Sequence, residues 1–180
     1  MRTEIGEYVV GAWLKVVKKC SFIDYNVRPP IKGLEGLGEF DVVGLDLKNK
    51  KVFICEVVTH LNGMGYKDLE TTVKKVEDKF MRQQKYAKGY LPNDFDVRYM
   101  LWSPIVTPKY LAEIEKIAKK EELELVINSS YSTKIDEIKT AIKGETKDFG
   151  NPFIRVIQIF EALKCPCDSG KKYKKCCGGN

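Results

Sequence analysis

Residues 38–60 read GEFDVVGLDLKNKKVFICEVVTH. Two β-rich runs, 39–47 and 51–59, flank a polar turn at Lys48-Asn49, which is the pattern of an antiparallel hairpin. Centring the turn there sets Leu45 opposite Val52, Val43 opposite Ile54 and Asp41 opposite Glu56. Paired residues share a face of the sheet, with β-carbons about 4.5–5.5 Å apart. Two carboxylates side by side repel unless a cation lies between them. A hard divalent ion such as magnesium, held by one or two carboxylates, would satisfy both. The other reading is a pair of solvated acids at a strand end.

Outward from the hairpin, the chain alternates helical and extended patterns. Ile5, Tyr8, Val9, Ala12, Trp13, Val16 and Val17 recur at helical spacing over about 3–20. A short strand at 22–27 follows, then a Pro/Gly-rich loop, RPPIKGLEGLG, through residue 38. Beyond the hairpin, 60–67 reads as a loop, and 68–88 as a long helix with Leu69, Val73, Val76 and Phe80 as its apolar stripe. Strands at 97–103 and 123–128 and helices at 108–121, 133–143 and 153–163 complete the order, with Pro108 suited to the first helical turn. This order predicts an α/β fold with a mixed central sheet flanked by helices. The domain boundary is set at 150, with residues 151–180 a linker helix and a small tail.

The hairpin segment resembles the core of the PD-(D/E)xK nuclease superfamily. Four motifs carry the resemblance: the first-strand Asp41, the second-strand Glu56, Glu7 in the first helix, and Gln83-Gln84-Lys85-Tyr86, which resembles the Q-x-x-Y element of RecB-like members. It implies a restriction-endonuclease-like αβββαβ core. It also implies magnesium- or manganese-dependent phosphodiester hydrolysis of nucleic acid, DNA foremost. Asp41, Glu56 and the Val57 carbonyl would hold the metal, with Glu7 nearby, and Gln83 would orient substrate. Lys75, Arg82 and Tyr86, on the basic helix 68–88, would contact nucleic acid.

One departure stands out. The motif places lysine two residues after the second acid, where this chain has Val58. Two readings follow. In one, the lysine has moved to the next helix, with Lys79 and Lys75 as candidates; Lys79, Gln83 and Tyr86 share a face there at i, i+4 and i+7. In the other, the chain is a degenerate nuclease, a binding adaptor for nucleic acid or protein. His60, the only histidine, would share Glu56's face if the strand persisted that far.

The tail, CPCDSGKKYKKCCGGN, spaces Cys165, Cys167, Cys176 and Cys177 as C-x-C-x8-C-C. Two close thiol pairs across a short polar loop suit tetrahedral zinc, whereas two disulfides would form a strained cage. With only Tyr173 as a large apolar residue, the segment would draw its folding free energy from the metal, roughly 10–16 kcal/mol. The string resembles the SEC-C motif found at the end of the SecA translocation ATPase and in many unrelated proteins, with Asp168 where glycine is usual. That implies one structural zinc and a tail that contacts nucleic acid, protein or the ribosome.

Thiolates holding zinc imply a reducing, cytoplasmic compartment, with Cys20 and Cys55 as buried thiols. No apolar run of membrane-spanning length is present. Net charge is +6 over 180 residues, with 31 basic and 25 acidic. The basic residues gather in 74–88 and 164–175, as suits a polyanionic partner.

Overall fold

The computed structural model describes residues 3–28 and 39–163. The four cysteines of the tail, and the zinc knuckle expected of them, lie outside the described residues. The elements run α1 (Ile5–Val16), β1 (Phe22–Val27), β2 (Phe40–Asp46), β3 (Lys51–Val57), α2 (Leu69–Tyr90), β4 (Asp96–Ser103), α3 (Pro108–Glu121), β5 (Glu124–Ile127), α4 (Asn128–Ala141) and α5 (Pro152–Ala162). The five strands form one sheet in the order β1-β2-β3-β4-β5. The β1-β2 and β2-β3 pairs are antiparallel, and β3-β4 and β4-β5 are parallel. This is the αβββαβ order and mixed sheet expected of a restriction-endonuclease-like core.

Strand alternation divides the core in two. Phe53 and Cys55 of β3 face α1, α4 and α5, where Trp13, Trp102 and Ile154 are buried with them. Val52 and Ile54 face the other side and pack beside Ala87 of α2. Val58 lies further along that side, among Met64, Val76 and Phe80. The helices on the two faces therefore cover both sides of the hairpin's second strand, which explains its run of five buried residues.

Helix α5 packs against α1 and does not act as a linker. Ile154 is fully buried in the α1-facing core, with Phe153 and Ile157 packed around it. Asn151 caps the helix by accepting from the Ile154 N–H at 3.1 Å and donates to the Tyr8 carbonyl at 3.0 Å. The packed unit thus extends past the expected boundary at 150 to the end of α5. Helix α4 begins earlier than its apolar spacing suggests. The Ser130 hydroxyl accepts from the Ile127 N–H and donates to the Ile127 carbonyl, both at 2.7 Å, closing a turn directly on the end of β5.

Candidate functional site

Asp41 of β2 and Glu56 of β3 lie side by side at one end of the sheet, and Glu7 of α1 is within electrostatic reach of Asp41. The observed β2-β3 register pairs Val42 with Cys55 and Val43 with Ile54, as the turn predicts, and its next step sets Asp41 opposite Glu56. An Asp41 carboxylate oxygen, Oδ2, accepts from the Val57 N–H at 2.6 Å. Glu56 is 2% exposed. Glu7 reaches the same end from the first turn of α1, where its Oε2 accepts from the Glu4 N–H at 3.2 Å and from Asn26 Nδ2 at 3.0 Å. Gly6 permits that approach: a β-carbon there would lie 2.0 Å from Thr59 Cγ2 and 3.0 Å from Val57 Cγ1, so a side chain at this position would force these groups to shift.

The cation at this site comes from α2. Lys79 Nζ donates to Glu56 Oε2 and lies 4.0 Å from Asp41 Oδ2. One turn later, Arg82 comes within 3.9 Å of Glu56 Oε1. Burial pushes the Glu56 carboxyl up to about 7; Lys79 opposes the rise and Asp41 adds to it. Burial also opposes charge on Lys79, but Glu56 and Asp41 outweigh it and hold the lysine above its ordinary value, so it stays an ammonium at neutral pH. The Glu7 carboxyl is raised by burial, against the Glu4 and Asn26 hydrogen bonds, and Asp41 adds to that rise.

The donor set fits a hard divalent cation in one respect above all. Among the described residues Glu56 Oε1 is buried with no hydrogen-bond partner, an expensive state for a carboxylate oxygen, and Asp41 adds a second carboxylate nearby. Among the described residues no group of three or more His, Cys, Asp and Glu side chains converges closely enough to bind a metal on its own. A bound ion would therefore complete its shell with water and substrate oxygens, as magnesium commonly does.

Other residues singled out from the sequence have different surroundings. Gln83 is fully buried, and its Nε2 donates to the Ile54 carbonyl at 3.4 Å; that holds α2 on β3 and leaves the side chain no face toward a substrate. Lys75 sits over the Tyr66 ring, 3.7 Å from its centroid, and not at the carboxylates. Tyr86 packs on Phe40 and stacks with Tyr90, with centroids 4.8 and 5.4 Å apart. Val58 is buried. His60 is exposed beyond the end of β3, which stops at Val57, and does not continue Glu56's face. It lines a cleft of about 320 Å³ with Glu4, Thr59, Tyr66 and Lys79.

Sequence reading missed Asn26 and Tyr66. Asn26 lies between the paired residues Tyr25–Val42 and Val27–Phe40 and so stands opposite Asp41. Its left-handed backbone, φ 53°, suits asparagine. The stretch of chain from Val27 to Phe40 is too long for turn chemistry to set that register from sequence. Tyr66 is placed by a loop-to-helix tie, its N–H donating to Thr72 Oγ1 at 2.9 Å, which no local pattern announces.

Comparison with known proteins gives three kinds of likeness. Residues 164–179 match the SEC-C motif. Over 160 residues the chain is 25% identical to the protein translocase subunit SecA of Carboxydothermus hydrogenoformans, covering 82% of this chain but 18% of that protein. Over 127 residues it is 28% identical to the UPF0225 protein PC1_1977 of Pectobacterium carotovorum, covering 57% of this chain and 81% of that protein. Among solved structures, a repair endonuclease from Pyrococcus abyssi aligns with TM-score 0.37 at 20% identity, over 69% of this chain and 47% of that one. The small subunit of the heterodimeric restriction endonuclease R.BspD6I aligns with TM-score 0.43 at 12% identity, over 86% of this chain and 78% of that one. Among the described residues no helix is long and apolar enough to cross a membrane.

Proposed function

We propose that this chain is a metal-dependent nuclease, acting on DNA, with Asp41, Glu56 and Lys79 at its reaction centre. The observation that carries the reading is the placement of Lys79. Its ammonium reaches both carboxylates from α2, supplying from the helix the cation that Val58 does not supply from the strand. It also lines an open cleft, so it is accessible to a phosphate as well as to the acids.

In this reading Asp41, Glu56 and the Val57 carbonyl hold one magnesium or manganese ion, and Glu7 supports it from α1. The ion supplies Lewis-acid polarisation of the phosphate and a more acidic bound water. Lys79 stabilises negative charge that builds on the phosphoryl oxygens as water adds and the bond to the leaving oxygen breaks. The Val57 N–H orients the Asp41 carboxylate, and Gln83 fixes α2 so that Lys79 keeps its reach. Lys75 and Arg82 lie along α2 to meet the phosphate backbone, where contacts position a strand without reading its sequence. The tail would bind one structural zinc through Cys165, Cys167, Cys176 and Cys177, a donor set suited to that metal. It would contact nucleic acid, a protein or the ribosome in the cytoplasm.

A second reading has one observation in its favour. Lys79 and Arg82 already compensate Glu56, as they would in a purely structural ion cluster on a nuclease-like scaffold retained for binding. Cleavage assays on single-stranded, duplex and branched DNA with magnesium or manganese separate the two. For the nuclease, Asp41→Ala abolishes cleavage while folding is kept, and Lys79→Ala lowers the rate on the order of 10²-fold or more with a much smaller loss of affinity. Wild-type protein that cuts none of these substrates with either metal would refute the enzyme and leave the adaptor.

A further inference from the structure

Next to the Lys79 cleft lies a second groove of about 390 Å³, and the two share His60 and Tyr66. Both volumes fall in the range of ligand-binding clefts. The second groove runs between the loop at 60–66 and the start of α3, with Thr107 and Tyr110 on its far wall. Among the described residues no aspartate or glutamate lines it, so no acid in these walls repels a phosphate chain.

The loop is held in place and kept bare. Met64 is buried, and its N–H donates to the Ile105 carbonyl at 2.7 Å. Gly63 adopts φ 95°, and a β-carbon there would lie 2.9 Å from Thr107 Cγ2. A β-carbon at Gly65 would lie 2.8 Å from the Tyr110 ring. The loop backbone at Gly65 therefore approaches Tyr110 closely, while Tyr66 and Tyr110 both keep surface on the groove. Both tyrosines also carry a lysine: Lys75 is 3.7 Å from the centroid of Tyr66, and Lys109 is 5.2 Å from that of Tyr110.

Two aromatic rings with adjoining lysines, on a polar path leading to the carboxylates, make a stacking platform for bases beside a charged track for phosphates. A base inside a duplex has its faces covered by its neighbours and reaches such a ring only when unpaired and splayed out. We infer that this groove is a subsite for an unpaired nucleotide next to the scissile phosphate, so that the site takes single-stranded polynucleotide at the point of cleavage. The inference rests on the nuclease reading for the scissile phosphate, but the groove's binding can be measured without cleavage.

The test is fluorescence anisotropy in magnesium-free buffer with a labelled single-stranded oligonucleotide and the same sequence as a blunt duplex, in deoxy and ribo forms. Tyr110→Leu and Tyr66→Leu remove the stacking rings while keeping bulk, and circular dichroism confirms that each folds. If Tyr110→Leu does not fold, Tyr66→Leu carries the test. The expected result is a loss of single-strand affinity of roughly 5- to 100-fold, with duplex affinity held within about twofold. A loss confined to the deoxy or the ribo form names the sugar and upholds the subsite. Equal losses on single strand and duplex, or no loss on either, overturn it. Cleavage with equal losses removes only the subsite, whereas selective single-strand loss without cleavage removes only the nuclease.

Discussion

Glu56 offers the sharpest physical test of the site, because its cost to the fold depends on pH. Its carboxyl rises from 4.5 to about 7, with burial the main cause. The folded protein then holds a proton between these values that the unfolded chain has released. Stability from this group is complete below about pH 4.5 and is lost as pH rises through about 7. At 1.36 kcal/mol per pKa unit, the full loss is about 3 kcal/mol, and the part falling between pH 5 and pH 8 is about 2 to 3 kcal/mol. Glu56→Gln keeps the shape and removes the titration. Lys79 is protonated throughout that window, and its attraction to ionised Glu56 is already contained in the value near 7. The variant should therefore gain about 2 to 3 kcal/mol relative to wild type on going from pH 5 to pH 8. Urea unfolding in metal-free buffer would show this as a relative midpoint shift on the order of 1 M. A gap between the two proteins that stays constant from pH 5 to pH 8 would refute the buried, high-pKa carboxylate.

Val58→Lys, the substitution that would restore the motif, should lower stability by about 3 kcal/mol or more, because it puts an ammonium among Met64, Val76 and Phe80; unchanged urea unfolding would show that Val58 is not part of that packing. Metal analysis of protein purified without added metal should find about one zinc per chain, lost in Cys176→Ser. A disulfide mapped between any two of the four tail cysteines in reduced protein would sink that expectation.

The hairpin was legible because its information is local. A polar turn and two alternating runs fix the register, and the register alone pairs Asp41 with Glu56. Lys79 was legible for a similar reason, since helical periodicity puts it on one face with Gln83 and Tyr86. That periodicity does not say what each residue of the face meets. The chain leaves β3 at Val57 and returns along α2, so successive turns of the helix pass back over earlier positions of the strand. Lys79 reaches Glu56, Gln83 meets the Ile54 carbonyl, and Ala87 lies beside Val52. Residues alike in sequence pattern thus take unlike roles, one at the carboxylates and the next in the core. Asn26 was not legible because no short turn joins β1 to β2. The packing of α5 was hidden because one buried face looks the same on a linker helix.

The same antiparallel passage explains why valine can stand where the motif has lysine. Val58 lies past the last paired residue of β3, one step beyond Glu56 on the α2 side, and it meets the turn of the helix that carries Val76. A lysine at 58 would have to leave this apolar packing to reach the carboxylates. Lys79 lies nearly one turn further along α2, directly over Glu56, and reaches both acids while keeping an exposed side toward the cleft. With the ammonium supplied from above, an apolar residue at 58 improves the packing below it. In the nuclease reading, Lys79 at the carboxylates and an apolar residue at 58 are compatible with each other.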